Sequence, residues 1–197
     1  MIEIRRVSGK AVLPYLSEAA RLRIAVFREY PYLYDGTEAY EQEYLQAYAE
    51  SGRSVVVLAI KDGSQVVGVS TGLPMAEADE AFRKPFETAG WDPQAIFYFG
   101  ESVLAKDERG QGIGHRFFDQ RESHAREHGF SVTAFCAVQR PDDHPMKPQD
   151  YRANDAFWIK RGYEKTPDLC AELEWQQVDQ KESETRNRLV FWVKRWK

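Results

Sequence analysis

The spacing of hydrophobic residues divides the first part of the chain into helical and extended segments. From Val12 to Glu29 hydrophobic residues recur every three or four positions, which predicts an amphipathic helix, and Tyr40 to Glu50 predicts a second one. Between Ser54 and Leu73 two β-branched runs flank a four-residue turn that contains Gly63, which is the pattern of a hairpin. Ile2 to Arg6 alternates apolar and charged residues, as an edge strand does.

The rest of the chain predicts a strand, helix and strand followed by a second antiparallel pair. A continuous hydrophobic run from Ala95 to Ala105 predicts a strand buried on both faces, and a helix from Gly112 to His128 follows it. The pattern therefore favours an α/β fold, as an α+β mixed sheet, over a purely parallel sheet. The remaining predicted elements are a partly helical insertion at Pro74 to Gly90, a strand at Ser131 to Val138, a loop at Gln139 to Gln149, a short helix at Asn154 to Arg161, and strands at Tyr163 to Val178 and Leu189 to Lys197 around a charged turn.

Composition and charge argue against several classes of protein. The 197 residues, 43% hydrophobic and 13% aromatic, suit a single domain over residues 1–197 with a substantial core. With 27 Lys and Arg against 31 Asp and Glu the formal charge is −4, which argues against a nucleic-acid partner because each neutralised phosphate needs a Lys or Arg. The charged start and the lack of a run of about 20 apolar residues predict a protein that is neither exported nor embedded in a membrane.

The cysteines and histidines do not predict a metal site. Cys136 and Cys170 are too few for a disulfide framework or a ligand quartet, so we expect a reducing, cytoplasmic location. His124 to His128 matches the HxxEH spelling of a metalloprotease helix, but the sequence marks no third ligand. A solvated helix face is the simpler explanation of these residues.

A glycine-rich turn lies between the buried strand and the following helix. Glycines at 110, 112 and 114 remove the Cβ atoms that would hold a ligand away from the backbone, and the first N–H groups of the helix have no intrahelical partner. The helix dipole and Arg109 both favour an anion there, so the turn predicts phosphate binding. A glycine-rich turn without a ligand is the alternative.

Other phosphate and nucleophile motifs fail on the same residues. His115 stands where the dinucleotide fingerprint GxGxxG needs its last glycine, and the Gly-Lys-Ser/Thr of a P-loop is absent. Leu104 replaces the second glycine of a GxSxG nucleophile elbow, so we interpret Ser102 as an ordinary strand residue.

The hexapeptide RGQGIG, Arg109 to Gly114, matches a known signature, Q/R-x-x-G-x-G/A, between a strand and a helix. In this feature the chain resembles the GCN5-related N-acetyltransferases (GNAT family), and the order of its predicted elements follows that family along nearly the whole chain. Three segments resemble a subgroup of this family whose substrates the sequence does not identify. They are FYFGESVLAKDERGQGIGHRFFDQRE, FCAVQRPDDHP and DAFWIKRGY. The resemblance implies an acyl-CoA acyltransferase fold with splayed central strands, acetyl-CoA as co-substrate, and no metal.

The resemblance also implies which residues hold acetyl-CoA. The pyrophosphate would bind the amides of residues 111–114, beside Arg109. The pantetheine arm would lie between the splayed strands against the backbone of residues 103–105, and the Leu104 N–H would stabilise the oxyanion that forms on the thioester. The implied cofactor-binding residues are Val103, Leu104, Ala105, Arg109, Gln111, Gly112, Ile113, Gly114 and Trp158.

Glu101 is the candidate general base of the reaction that the resemblance implies. Direct attack on a thioester needs a neutral amine, hence removal of a proton from an ammonium ion. Glu101 is a carboxylate in an otherwise apolar strand, eight residues before Arg109. Because strand alternation places Glu101 and Ser102 on opposite faces, a structural ion pair is the alternative for Glu101, and Tyr98 is the reserve candidate, acting directly or through a water.

Trp158 departs from the family pattern. Many members carry a Tyr four residues before the Gly of the helix-to-strand turn, here Gly162, and this Tyr can protonate the leaving thiolate. Trp158 has only an indole N–H. Because a thiol has a pKa of about 8 to 9, solvent can protonate the thiolate instead. Tyr151 could substitute, although packing explains it equally well.

Two loops are candidates for binding the acceptor amine. The loop from Gln139 to Arg152 contains Arg140, Asp142, Asp143 and His144, with prolines that limit its entropy. A turn held by the Asp side chains is the alternative. The segment from Phe27 to Gly36 lies between the two helices that cover the acceptor site in the family, so Tyr32 and Tyr34 could line a pocket for the amine, or they pack onto the core.

Together these features predict an acetyl-CoA-dependent N-acetyltransferase that acts on a small-molecule or peptide amine by direct attack. The alternative is a non-catalytic acyl-CoA-binding sensor, or a partner-binding module, on the same fold, which the missing phenol at position 158 motivates. Polyamines, aminoglycosides, amino acids and protein N-termini all fit as acceptors. The aromatic C-terminal strand could pair with the edge of another chain in a homodimer if it is left uncovered.

Overall fold

The computed structural model describes residues 1–196, and within them the side chains outside 181–183. This part of the chain contains both α-helices and strands, and we number each kind in chain order. The α-helices are α1 Leu16–Phe27, α2 Glu38–Glu50, α3 Glu80–Thr88, α4 Ile113–Glu127 and α5 Asp155–Lys160. The strands are β1 Ile2–Val7, β2 Val55–Lys61, β3 Gln65–Pro74, β4 Ile96–Tyr98, β5 Ser102–Leu104, β6 Val132–Val138, β7 Glu164–Gln177 and β8 Gln180–Arg195.

The strands form one mixed sheet in the order β1-β2-β3-β4-β6-β8-β7, and β5 pairs with β3. Only β4 and β6 run parallel among the described strands. β6 is paired to β4 only over Val132 to Ala134, and β5 has no described partner on the side away from β3. The sheet therefore opens between β5 and the second half of β6. The predicted α/β fold with splayed central strands is confirmed.

Both faces of the sheet are covered. On one face α1, α2 and α3 cover a core that includes Leu45, Tyr98 and Phe191. On the other face α4 packs Phe117 and Phe118 into a second core of aromatic residues. Among residues 1–196, every helix is too short or too polar to span a bilayer.

The first helix begins later than its hydrophobic pattern predicts. Gly9–Tyr15 forms a 3₁₀ turn that contains Pro14, and α1 begins only at Leu16. A proline inside an α-helix has no N–H to donate, and its ring clashes with the preceding turn. The predicted start at Val12 is therefore wrong.

The central hydrophobic run is interrupted, whereas the sequence predicts one continuous strand. β4 ends at Tyr98 and β5 begins at Ser102, so the chain breaks at residues 99–101. Gly100 is required in this break because a Cβ there would lie 2.6 Å from the Thr71 Oγ1. Tyr98, Phe99 and Val103 are buried around the break, which explains why the hydrophobic pattern continues across it.

The last two strands form a longer hairpin than the sequence predicts. β8 begins at Gln180 rather than at residue 189, so most of the predicted charged turn is strand. Its charges pair across the strands: Arg186 lies 3.5 Å from Glu172 and 3.3 Å from Glu174. Because β8 lies between β6 and β7, the C-terminal strand is not the free edge that the expected homodimer contact needs.

Candidate active site

A cavity of about 1450 Å³ occupies the opening between β5 and β6. It extends from the N-terminus of α4 to the segment between α1 and α2. The sequence-predicted residues that line it are Tyr32, Glu101, Leu104, Arg109, Gly114, Arg140, Asp142, Tyr151 and Trp158. The other predicted residues are not part of its lining, namely Tyr34, Tyr98, Val103, Ala105, Gln111, Gly112, Ile113, Asp143 and His144.

Arg121 holds the break between β4 and β5 in place. This α4 residue is 1% exposed, and its guanidinium donates to the Thr71 and Glu101 carbonyls at 3.2 and 3.1 Å and to the Ser102 Oγ at 2.9 Å. Its guanidinium carbon lies 4.2 Å from the centre of the Phe99 ring. Burial lowers the pKa of Arg121 to about 10, so it stays charged at neutral pH. Arg121 is not among the site residues predicted from the sequence, although its position on the apolar face of the predicted helix indicates that it is buried.

Along β5, the backbone groups of successive residues alternately bond to β3 and face the cavity. Ala105 donates its N–H to the Val67 carbonyl at 2.8 Å. Because hydrogen-bonded and non-bonded positions alternate in an antiparallel ladder, Val103 also bonds to β3, whereas the main-chain groups of Ser102 and Leu104 point away from it. Of residues 103–105, only Leu104 thus offers its N–H to the cavity.

The start of α4 presents unpaired amides. Arg116 makes the first intrahelical bond, donating to the Gly112 carbonyl at 3.3 Å, so the N–H groups of residues 113–115 have no intrahelical acceptor. Gly110 and Gly112 have φ angles of 79° and 77°, which favour glycine, and a Cβ at either would meet no atom within 4 Å. The geometry therefore fits an anion bound at this helix end.

Two predicted cofactor residues have partners within the protein. Arg109 donates to the Glu29 carboxylate at 2.8 and 3.1 Å and to the Leu104 carbonyl at 3.1 Å. The Gln111 side chain donates to Glu108 at 3.1 Å. The Arg109 guanidinium thus joins the glycine-rich turn to the segment after α1.

Glu101 lies in a buried ionic cluster at the edge of the cavity. Its Oε2 is 2.6 Å from the Arg23 Nη1 and accepts from the Tyr44 hydroxyl at 3.3 Å. Its Oε1 is buried and has no hydrogen-bond partner among the described residues. Arg23 also pairs with Glu41 on α2. The Glu101 side chain thus makes a structural ion pair and also keeps one oxygen without a partner.

The reserve base Tyr98 lies outside the cavity. Its ring stacks on Phe82 at 4.9 Å, and its hydroxyl is 3.4 Å from the Cys136 Sγ. Burial, followed by the nearby Cys136, raises the pKa of Tyr98 well above its usual value. This position does not favour Tyr98 as a proton acceptor.

Trp158 and Tyr151 border the cavity at different places. The Trp158 ring packs 5.0 Å from Phe135 and 5.1 Å from Trp192. Tyr151 contacts Tyr30 edge to face, with the ring centres 4.7 Å apart. Burial raises the pKa of Tyr151, so this phenol keeps its proton at neutral pH.

The segment after α1 is held against the cavity by Arg140. Its guanidinium donates to the Pro31 carbonyl at 2.7 Å and to the Tyr32 carbonyl at 2.9 Å. Burial, followed by the nearby Cys136, raises the pKa of Tyr32. Tyr32 and Tyr34 both pack against Trp175, with ring centres 6.1 and 6.5 Å from that of the indole. His144 accepts the Met146 N–H at 3.2 Å and lies beside Tyr30.

The lining of the cavity is more positive than the chain as a whole. Nine Lys and Arg residues line it against five Asp and Glu, in a chain whose formal charge is −4. Such a lining attracts a polyanionic ligand. No group of three or more His, Cys, Asp or Glu within the described residues is arranged to hold a metal ion.

Comparisons with known proteins agree with this architecture. The model of the acetyltransferase (GNAT) family matches residues 20–147, more than half of the chain. No curated protein matches it in sequence.

Several solved structures share the fold. The ribosomal-protein-alanine N-acetyltransferase of Brucella melitensis has 22% identity and a TM-score of 0.59, covering 98% of this chain and 99% of its own. The polyamine N-acetyltransferase of Drosophila melanogaster, which forms N-acetylagmatine, has 12% identity and a TM-score of 0.60, covering 99% and 100%. A Salmonella typhimurium protein solved with its cofactor acetyl-CoA has 14% identity and a TM-score of 0.58, covering 100% and 94%.

Proposed function

Because the chain belongs to the acetyltransferase (GNAT) family and is an N-acetyltransferase, we propose that it binds acetyl-CoA between β5 and β6 and acetylates a primary amine by direct attack. One observation carries this proposal: Leu104 and, at the start of α4, Gly114 both line the same cavity, and the backbone N–H of each has no backbone partner among the described residues. Acetyl-CoA, when bound, supplies the thioester that the amine attacks.

The cofactor would be held by its phosphates at one end of the cavity. The amides of Gln111, Gly112, Ile113 and Gly114 would hold the pyrophosphate at the end of the cavity that Gly114 lines, and the α4 dipole would favour its charge. The His115 N–H, which also lacks an intrahelical acceptor, is available to it. The positive lining around Arg109 supports the same ligand.

The reacting end of the cavity would be formed by β5 and Glu101. The Leu104 N–H donates to the thioester oxygen and stabilises the negative charge that develops there. Residues 103 and 105 hold this strand in register through their bonds to β3. Glu101 receives the ammonium group of the acceptor on its free Oε1 and takes up a proton, directly or through a water, so that the neutral amine can attack.

The proton balance of the reaction is simple. The ammonium group gives one proton to Glu101 before the attack, a C–N bond forms as the C–S bond breaks, and the thiolate leaves. The attacking nitrogen loses a second proton as it becomes the amide nitrogen, and both protons pass to solvent. Trp158 offers only an indole N–H, and the raised pKa of Tyr151 makes it a weak acid. Solvent therefore protonates the thiolate, whose conjugate thiol has a pKa of about 8 to 9.

The acceptor would reach the cavity beside the segment after α1. Tyr32 forms part of this wall, and Arg140 fixes its position through the backbone. We keep Tyr34 and His144 as candidates only for the outer margin, because neither lines the cavity.

Acetyl-CoA binding and amine turnover test this function in sequence. A thermal-shift titration with acetyl-CoA is expected to raise Tm saturably, and thiol release is expected with at least one amine from a panel of agmatine, spermidine and a peptide with N-terminal alanine. Stabilisation without turnover on a broader panel of amines would favour the acyl-CoA sensor that the Trp158 position motivates. The absence of stabilisation by any acyl-CoA would contradict both functions.

A further inference from the structure

A carboxylate, a guanidinium and a second carboxylate lie in a row beneath the cavity. Arg23 of α1 is 6% exposed and lies between Glu41 of α2, which is fully buried, and Glu101 in the strand break. Three separate elements thus contribute to one ionic cluster. A buried ion pair does not by itself stabilise a fold, because desolvation offsets the attraction, and its presence at a cavity edge suggests another role.

Arg23 is fixed from every side. Its guanidinium carbon lies 4.3 Å from the Tyr44 ring centre and 5.0 Å from that of Phe27. Burial lowers the pKa of Arg23, but Glu101, Tyr44 and Glu41 outweigh burial and raise it well above its usual value. Arg23 is therefore a permanent positive charge next to Glu101.

The two oxygens of Glu101 differ in their surroundings. Oε2 faces Arg23 and the Tyr44 hydroxyl, which is itself 3.0 Å from the Tyr48 hydroxyl. Oε1 is buried without a partner, while Glu101 belongs to the cavity lining. One oxygen of the carboxylate is therefore held by the protein, and the other has no hydrogen-bond donor among the described residues.

We propose that Arg23 is a positioning residue for Glu101: it holds Oε2 in place and leaves Oε1 for the ammonium group of the acceptor. This inference rests on the proposed function. Arg23 touches no substrate in this scheme and acts only through Glu101. In this scheme α1 and α2 affect the reaction through side chains that contact Glu101, in addition to covering the cavity.

The pH behaviour of Glu101 depends on more than Arg23. Without Arg23 the carboxylate loses its closest positive neighbour and should protonate at a higher pH. The other charged or titratable groups that face it are Tyr32, Glu41, Tyr44, Tyr48 and Arg121.

The test compares Glu41→Gln with the double variant Arg23→Gln/Glu41→Gln. The two proteins differ only in Arg23, and the double variant avoids leaving Glu41 buried without a partner. The ¹³C signal of the Glu101 carboxyl, assigned by its loss in Glu101→Gln, is followed against pH in the protein without cofactor. The pH dependence of kcat/KM is measured in parallel with the amine that gives the fastest thiol release, and Tm checks folding.

We expect the Glu101 titration and the acid limb of kcat/KM both to move to higher pH by about one unit or more in the double variant. An unchanged carboxyl titration would overturn the proposal. A carboxyl titration that moves while the acid limb of kcat/KM stays in place would also overturn the proposal. That result is expected if Arg23 only connects α1 and α2 as a structural contact. Absence of turnover in the unmodified protein would overturn the proposed function instead, and the titration would still decide whether Arg23 controls Glu101.

Arg23→Lys covers the case in which the double variant fails to fold. It keeps the positive charge but loses the guanidinium fork that spans both carboxylates. We expect kcat/KM to fall by about tenfold with the acid limb close to its original pH. Arg23→Lys with unchanged kcat/KM would contradict the positioning role.

Discussion

At the scale of single residues, Glu101 shows how its neighbours decide what a carboxylate can do. Its main-chain carbonyl accepts from Arg121, its Oε2 pairs with Arg23, and only Oε1 is free. The sequence left a catalytic base and a structural ion pair as alternatives. The contacts support both at once, because they divide the two oxygens between these roles.

Replacing Glu101 with Gln should remove the proton acceptor without disturbing the cofactor site. We expect kcat to fall by about 10²- to 10⁴-fold, the usual contribution of general acid–base catalysis, with acetyl-CoA affinity retained. The loss should shrink as pH rises, because an amine that is already neutral needs no base. Steady-state kinetics across pH and calorimetric titration with acetyl-CoA measure both quantities.

Glu122→Gln is the matched control for this substitution. Glu122 is also buried and paired with an arginine, Arg161, at 2.7 Å, but it does not line the cavity. Both variants should lose stability, whereas only Glu101→Gln should lose kcat. Wild-type turnover at neutral pH in a folded Glu101→Gln protein would rule out the base.

His124 gives a residue-scale prediction about acid stability. It is buried on α4, with its Nε2 2.9 Å from the Arg53 carbonyl. Burial, followed by the positive neighbours His128 and Arg6, lowers the pKa of His124 below its ordinary value of 6.5. The unfolded chain therefore binds a proton near pH 6.5 that the folded chain takes up only at lower pH, so stability is lost as pH falls through this range.

His124→Gln should make the fall in Tm between pH 7 and pH 5 smaller than in the unmodified protein. The glutamine amide can still donate to the Arg53 carbonyl, but it does not titrate. His115→Gln is the control, because His115 is an exposed residue of the same helix and should leave the fall unchanged. Equal falls in all three proteins, measured by differential scanning calorimetry, would show that His124 does not contribute to acid sensitivity.

At the scale of elements, the N-terminus of α4 was predictable and the strand break was not. The glycine-rich turn for which we propose phosphate binding is defined by neighbouring residues, namely alternating glycines before a helix, so the sequence alone is enough to predict the turn. At the break at residues 99–101, the carbonyls of Glu101 and Thr71 keep their backbone hydrogen bonds and also accept from Arg121, which is about 20 residues away in sequence. Hydrophobic periodicity records burial and not hydrogen bonding, which is why it predicts one strand.

Gly114 is the best position at which to block the proposed phosphate site. It has no positive φ, and a Cβ there would have Phe157 at 3.8 Å as its nearest neighbour, so valine is tolerated by the fold. Its branches would project towards the free amides of α4. We expect Gly114→Val to raise the Kd for acetyl-CoA by at least about tenfold, or about 1.4 kcal/mol, with little change in Tm.

Gly52→Val is the control for this experiment. Gly52 also has no positive φ and no atom within 4 Å of its Cβ position, and it does not line the cavity. Gly112→Val is less suitable, because the φ of 77° at Gly112 would strain any valine. Equal acetyl-CoA affinity in Gly114→Val and Gly52→Val would show that the start of α4 does not bind the phosphates.

At the scale of the whole molecule, charge is distributed unevenly. The chain carries −4 overall, yet its cavity is lined by more cations than anions. The net charge of the sequence mildly favours a cationic acceptor, but it does not show which charged residues the fold places around the cavity. The cavity instead combines a positive lining, suited to phosphates, with one buried carboxylate oxygen, suited to an ammonium group.

The central claim is that acetyl-CoA lies along the cavity from the start of α4 to β5. An amide ¹H–¹⁵N NMR titration with acetyl-CoA tests it most directly, because the two sets of free N–H groups report separately. We expect the largest saturable shifts at residues 111–115 and at Ser102 and Leu104, with smaller shifts at Val103 and Ala105, whose N–H groups bond to β3. Saturable binding without shifts at either set of free amides would contradict it.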